Sequence, residues 1–379
     1  MTATGVERPT PLDQHTPANL VDVLRIRQQS QASSVACVYL DEREEIKSQV
    51  TFDELDTQAK AIAARLQGLG MSGGSAILLY PSGLEFVSAF FGCLYANVVA
   101  IPLPVPRAER AIAQFLGIIE DAKARVLLTT ASTLARAGRS DFPIPETLIS
   151  LTSEDTPTAL ARAWRQPDVA SDAIAYLQYT SGSTANRKGV AITHANVIAN
   201  LQAIAARFEH HDKSVSVNWL PHTHDLGLVN GILQPLYHGH LNVMLSATAF
   251  VQQPIRWLNA ISRYRGTYSN SPNFGYDLCV RRTTAAQRAQ LDLSSWDIAL
   301  NGAEPVHVET IDEFIAMFAP HGFRPATMFP AYGLAEATLV VSGGPRHPNA
   351  ITIKVNAAEL ENHRVVETDA RSGVRTLVG

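Results

Sequence analysis

Residues 179–189 read Tyr-Thr-Ser-Gly-Ser-Thr-Ala-Asn-Arg-Lys-Gly and lie between two apolar runs. Hydroxyls at Thr180, Ser181, Ser183 and Thr184, backbone N–H groups around the flexible Gly182, and the charge of Lys188 can converge on phosphate oxygens. The stretch is not a Walker A sequence, which needs Gly-Lys-Ser/Thr opening a helix. Here Arg187 precedes the lysine and Gly189 follows it. Turn chemistry alone allows a second reading, a surface hairpin rich in Ser and Gly. Ala185 carries a Cβ, so a positive φ there would be costly.

His222-Thr223-His224-Asp225 is a second chemically capable group, because paired histidines beside an aspartate can bind zinc. A binuclear pattern, however, requires aspartate where Leu226 stands, and no further His or Cys lies close enough in sequence to complete a local set. His210-His211 and His238-Gly239-His240 fall in polar connections and are expected to be solvated. Cys37, Cys93 and Cys279 are far apart without C-x-x-C spacing. That argues against a disulfide framework or structural zinc and makes a reducing cytoplasm the expected compartment.

These residues must be positioned by an alternation of helices and strands. Thr51 and Glu54 form a capping-box signal, Leu55, Ala59, Ile62 and Leu66 recur at helical spacing, and Gly68 and Gly70 end that helix. Strands are expected at 35–40, 76–80, 98–101 and 125–129, with residues 131–168 weaker and linker-like. A second series runs through strands at 173–179, 190–192, 215–219, 241–245, 267–270, 298–301 and 327–329, with helices at 194–208, 254–264 and 306–318. The expected fold class is α/β: two layered subdomains with mainly parallel sheets flanked by helices, and ligands at the carboxyl ends of strands. The expected divisions are a leader at 1–17, a first subdomain at 18–170, a second at 171–345, and a separate segment at 346–379.

Across 379 residues, hydrophobic residues make up 46% and charged residues 17%, enough to bury a sizeable core. A net charge of -4 provides no basic surplus for a nucleic-acid backbone. The polar, proline-dotted start lacks the pattern of a signal peptide, and the apolar stretch 86–101 is broken by Ser88, Gly92 and Asn97 and too short to span a bilayer. If the protein meets lipid, it meets it as a substrate and not as a solvent.

Thr-Ser-Gly-Ser-Thr-x-x-x-Lys-Gly after an apolar strand resembles the signature of the adenylate-forming superfamily. Two further superfamily motifs follow in order: Asn301-Gly302-Ala303-Glu304-Pro305 and Ala331-Tyr332-Gly333-Leu334-Ala335-Glu336-Ala337-Thr338. The segments Trp219-Leu220-Pro221, His224-Asp225-Leu226-Gly227-Leu228, Gly231-Ile232-Leu233-Gln234-Pro235-Leu236, Ser271-Pro272-Asn273-Phe274, Tyr276-Asp277-Leu278-Cys279 and Leu293-Ser294-Ser295-Trp296 are similar to one branch, the fatty acyl-AMP ligases. The resemblance covers almost the whole chain, and makes it the amino-terminal large domain of such an enzyme, without the small carboxyl-terminal domain.

This resemblance implies ATP and Mg²⁺ as cofactors, a fatty acid as substrate and an acyl carrier protein as acceptor. It places Thr180, Ser181, Gly182, Ser183, Thr184, Ala185 and Lys188 on the phosphates, and Gly302, Ala303 and Glu304 beside the adenine. It sets Tyr332 against the base, Ala331, Gly333 and Ala335 next to the nucleotide, and Glu336 on Mg²⁺. A carboxylate in the first turn of a helix is the plainer alternative for Glu336. His224 and Asp225 fall near the acyl carboxylate, and Trp219, Leu226, Phe274 and Tyr276 are the expected wall of an acyl tunnel. Ala185 stands at a position that is usually glycine in the superfamily, Arg187 at one that is usually proline, and His222 at one that is usually apolar or proline. Residues 346–379 resemble an insertion particular to the acyl-AMP ligases. An acyl-CoA ligase and a weakly catalytic acyl-nucleotide binding module are the alternative functions.

Overall fold

The structure is a computed structural model that describes residues 17–106, 108–137, 142–179, 188–211, 213–343, 352–370, 372 and 374–378. Helix α1 (Leu20–Gln31) leads into strands β1 (Val35–Leu40) and β2 (Ile46–Thr51) and helix α2 (Phe52–Gly68). Next come β3 (Ser75–Leu79), α3 (Leu84–Tyr95), β4 (Val99–Pro102), α4 (Glu109–Asp121), β5 (Val126–Thr129), α5 (Ala131–Arg136) and β6 (Ile149–Thr152). The chain continues through β7 (Ile174–Tyr179), β8 (Gly189–Thr193), α6 (His194–Phe208), β9 (Val215–Asn218), β10 (Leu241–Met244), β11 (Tyr268–Ser271), β12 (Ile298–Asn301), β13 (Met328–Gly333) and β14 (Val340–Gly343). Strands β15 (Thr352–Asn356) and β16 (Val374–Val378) form a small antiparallel pair.

Local chemistry explains the best-defined helix starts. Both halves of the capping box at Thr51 and Glu54 are made, and Thr193 with Asn196 repeats the device at α6. Helix α3 is buried from Leu84 through Tyr95 except at Glu85, as its nearly uniform apolar sequence requires, and packs in the largest hydrophobic cluster with α2 and α6. Ser88 is satisfied there by donating to the Gln58 side chain (2.6 Å).

Two large sheets organise the chain. One has the order β6-β5-β3-β4-β7-β8 and the other β14-β13-β12-β11-β9-β10-β1-β2, parallel except at β8, β14 and β2. Sheet membership does not follow the expected chain divisions. Strands β1 and β2 join the second sheet through β1–β10 pairing, while β7 and β8 complete the first. Residues 131–168 are also more structured than a linker, since β6 extends the first sheet beside β5. Strand β2 was not expected from the sequence because Ile46 to Gln49 are mostly exposed at a sheet edge, which leaves no apolar alternation to read. Among the described residues no helix is long and apolar enough to cross a membrane.

Candidate active site

Parallel strands β9, β12 and β13 lie in one sheet, and the three segments following or ending them converge on a cleft of about 300 Å³. His224, Asp225 and Leu226 come from the connection after β9, Gly302 and Ala303 from the end of β12, and Ala331 to Glu336 from the end of β13 and its turn. Carboxyl ends of parallel strands gather sites because successive loops emerge on the same edge. The apolar part of the wall is Leu226 with Leu300, Leu334, Leu339 and Val340. Sequence reading missed the last four, although Leu300 stands two residues before Gly302 and the others lie inside or just after the Glu336 segment.

Close backbone approach shapes the cleft. A Cβ on Gly302 would lie 2.5 Å from the Ala331 carbonyl oxygen, so glycine allows β12 and β13 to present their ends together. Ala303 then takes φ 68°, left-handed backbone that disfavours a side chain by about 1–2 kcal/mol. After β13, Leu334 N–H donates to Leu339 O (2.9 Å), closing a compact turn around Glu336. Within it Leu339 N–H donates to Ala337 O (2.9 Å) across Thr338, whose φ of 71° and ψ of -55° form a γ-turn of the rare, strained kind. Glu336 projects from the single 3₁₀ turn Ala335–Ala337 and so stands in the first turn of a helix only three residues long. Its side chain is exposed on the cleft wall, and Tyr332 is 60% exposed beside it.

His224 Nδ1 lies 2.7 Å from Asp225 Oδ1, and Leu226 N–H donates to the same carboxylate oxygen (2.6 Å). The aspartate hydrogen bond raises the His224 pKa, against the smaller opposing effect of burial. Gln178 on β7 donates to Thr223 O (2.8 Å), which ties this segment to the strand preceding the hydroxyl-rich loop. His222 turns away: it is 6% exposed, stacks on Phe86 at 3.8 Å, and burial lowers its pKa to about 3. The two histidines therefore do different things, and among the described residues no group of three or more His, Cys, Asp or Glu side chains could hold a metal ion.

Expected phosphate-binding residues Thr180, Ser181, Gly182, Ser183, Thr184 and Ala185 lie outside the described residues. Both ends of their loop are fixed, because Tyr179 pairs with Gly189 across antiparallel β7 and β8. Lys188 is exposed at the end of the loop. Gly189 has no room for a Cβ, which would meet the Tyr179 ring at 2.9 Å.

Other expectations require correction. Of the four proposed tunnel residues only Leu226 borders the cleft. Trp219 is 2% exposed and stacks on Phe250 at 3.8 Å, while Tyr276 is fully buried and donates to Leu300 O (2.8 Å). Both belong to the neighbouring core with Trp257 and Trp296, where large aromatic area is buried most completely. Phe274 is 41% exposed, packs edge-on against Trp219, and its N–H donates to Glu304 (2.6 Å). Glu304 thus accepts from the first turn of the earlier helix Asn273–Arg282 and does not line the cleft. Of the histidines expected to be solvated, His240 is buried and His210 and His238 are half-buried. His210 lies 4.9 Å from His238 and 5.1 Å from His240, and His240 contacts Ser216 Oγ at 3.0 Å. His211 alone among them is exposed.

The AMP-binding enzyme family matches residues 24–362, and this chain belongs to it. The fold is that of the large amino-terminal domain of adenylate-forming enzymes. The chain is 46% identical over 355 residues to the medium-chain-fatty-acid–[acyl-carrier-protein] ligase JamA of Moorena producens, covering 92% of this chain and 60% of the relative. It is 35% identical to the long-chain-fatty-acid–AMP ligase FadD32 of Mycolicibacterium smegmatis, covering 87% of this chain and 54% of that protein. The solved fatty acyl-adenylate ligase of Legionella pneumophila, in complex with acyl adenylate and pyrophosphate, superposes with a TM-score of 0.91 at 37% identity. That match covers 98% of this chain and 64% of the other. The chain thus spans less than two thirds of the length of these relatives.

Proposed function

We propose that the protein bearing this chain activates a medium- or long-chain fatty acid with ATP, and then passes the acyl group to the phosphopantetheine thiol of an acyl carrier protein. The observation that carries this reading is the convergence of His224–Asp225, Gly302–Ala303 and the Glu336 turn on one cleft with an apolar wall. Its similarity to fatty acid–AMP and fatty acid–carrier protein ligases supports the substrate class.

In the first step a carboxylate oxygen attacks the α-phosphorus of ATP. The new P–O bond forms as the bond to the bridging oxygen breaks, and pyrophosphate leaves with that electron pair. Because both reactants are anionic, the protein's task is to orient and neutralise them. Protonated His224, held by Asp225, donates toward the carboxylate or α-phosphate, while Lys188 and the 180–187 loop hold the departing phosphates. Glu336 and Asp225 supply hard carboxylate oxygens at the same cleft, a donor set that fits Mg²⁺. When bound with ATP, Mg²⁺ supplies neutralisation of the phosphate charge. Leu226, Leu300 and Leu339 give the acyl chain an apolar surface, and each buried methylene contributes about 0.8 kcal/mol.

Incubating the full-length protein with ATP, a series of fatty acids, and either CoA or a holo carrier protein tests the proposal by mass spectrometry. Acyl-adenylate followed by acyl carrier protein is the expected product sequence. Equal or faster acyl-CoA formation would replace the proposed acceptor, and no acyl-adenylate from any chain length would overturn the activation chemistry.

A further inference from the structure

The turn that carries Glu336 is hydrogen-bonded from outside by the side chain of Asn200 on α6. Its Nδ2 donates to Val340 O (3.1 Å) and Ala337 O (3.4 Å), and its Oδ1 accepts from Val340 N–H (3.2 Å). All three bonds reach groups flanking Thr338 and Leu339, the centre and exit of the strained γ-turn. Val340 also opens β14, whose ladder partner is Gly333 on β13. On its other side the backbone of Val340 meets the Asn200 amide in place of another strand. An amide suits this task because it presents a donor and an acceptor together, and at 8% exposure water competes poorly for either.

The position of Asn200 in the chain gives the contact its meaning. Helix α6 begins at His194, directly after β8, and β8 pairs with β7 through Gly189 and Tyr179, the residues on either side of 180–188. One rigid strand–helix unit therefore reaches both the loop proposed to hold the ATP phosphates and, more than 130 residues later, the turn bearing the proposed metal carboxylate. We infer that Asn200 is a positioning residue that fixes the Glu336 turn relative to strand β8, which follows the segment proposed to hold the ATP phosphates, and so sets the affinity for Mg²⁺ with ATP. The inference rests on the metal role proposed for Glu336. Without the amide the γ-turn can relax toward unstrained backbone, which moves Glu336 off the spacing that both sites need.

The test measures ATP binding by calorimetry at stepped Mg²⁺ concentrations. Asn200→Asp keeps the acceptor for Val340 N–H, loses both donor bonds and sets a carboxylate against two carbonyl oxygens. It should raise the Mg²⁺ concentration for half-maximal enhancement about tenfold, the usual scale for losing a group that orients a metal ligand. Leu201→Ala, at a fully buried neighbour on α6, is the stability control and should lower Tm while leaving the Mg²⁺ requirement alone. Glu336→Gln and the double variant complete a cycle. If Asn200 acts through Glu336, the double variant matches Glu336→Gln alone. A normal Mg²⁺ requirement in Asn200→Asp, an equal shift in Leu201→Ala, or full additivity in the double variant would each overturn the positioning role while leaving the site reading intact. An unchanged requirement in Glu336→Gln would instead overturn the metal assignment and this inference with it.

Discussion

At the residue scale, the account depends on charges placed at the cleft by short connections. Glu336→Gln preserves shape and removes the carboxylate, so adenylation should require at least about tenfold more Mg²⁺, measured as fatty acid-dependent pyrophosphate exchange across a magnesium series. Unchanged magnesium dependence would remove Glu336 from the metal site. His224 offers a titration test. Its pKa is raised chiefly by Asp225, so the protonated state that pairs with Asp225 is fully present below the ordinary value of 6.5 and is lost as pH rises through the higher folded value. Asp225→Asn should move the His224 midpoint downward in an NMR titration, and the high-pH decline of adenylation should follow it. A midpoint that stays put would show that the contact at 2.7 Å does not control the imidazole.

The motif residues around Glu336 were legible in the sequence because hydroxyls, glycines and a carboxylate announce their chemistry through type and order. Residues that work through backbone contacts were not. Asn200 lies about 140 positions from the groups it binds and sits on a helix face with no special spacing. Trp219, Phe274 and Tyr276 misled for a related reason: aromatic residues inside a motif look like a ligand wall, yet two of them fill a core. Half-buried His238 and buried His240 flank Gly239 in a short connection, and only the fold closes over them.

Elements bring these residues together through close packing at two glycines. A Cβ on Gly333 would fall 2.1 Å from the Leu339 carbonyl oxygen, which accepts the hydrogen bond closing the Glu336 turn. Gly333→Ala must therefore push that turn open. It is expected to destabilise the domain by about 1–3 kcal/mol and to weaken Mg-ATP binding together with it. A variant of wild-type Tm and nucleotide affinity would show that the turn is not tightly specified. Helices with both a cap and a clear apolar period, such as α2 and α6, could be drawn from sequence almost to the residue. Edge strand β2 could not, since an exposed polar strand takes its pairing from a neighbour rather than from its own pattern, and β6, with only Leu151 and Thr152 buried, is too short to show an alternation. The antiparallel pair β15 and β16 falls in the segment resembling a family insertion. We propose that it disfavours transfer to CoA by restraining domain movement. Removing residues 350–374 from the full-length protein should then permit acyl-CoA formation, and a folded, adenylating deletion variant that forms none would refute the role.

For the whole molecule, two interleaved sheets were the least legible feature, because sequence alternation reports neighbours along the chain and not which sheet a strand joins. The exchange of β1 and β2 for β7 and β8 ties the two halves together. Burial lowers His194 and His238 to about 4, and His222 and His240 to about 3, against 6.5 in the unfolded chain. Between pH 6.5 and these lower values the unfolded chain binds more protons than the folded one, so stability falls as pH drops below about 6.5. Thermal melts should show Tm declining from pH 7 to pH 5, with a shallower decline in His222→Phe, which keeps an aromatic ring against Phe86. A pH slope unchanged by that substitution would contradict the assignment of this histidine. The central claim, that the cleft activates a fatty carboxylate at the α-phosphate of ATP, is tested most directly by ATP–pyrophosphate exchange in the full-length protein with and without fatty acid. Exchange that requires fatty acid, and that falls by about 10²–10³ when Lys188 or His224 is replaced by alanine, is the predicted result. Exchange independent of fatty acid, or unaffected by both substitutions, would contradict it.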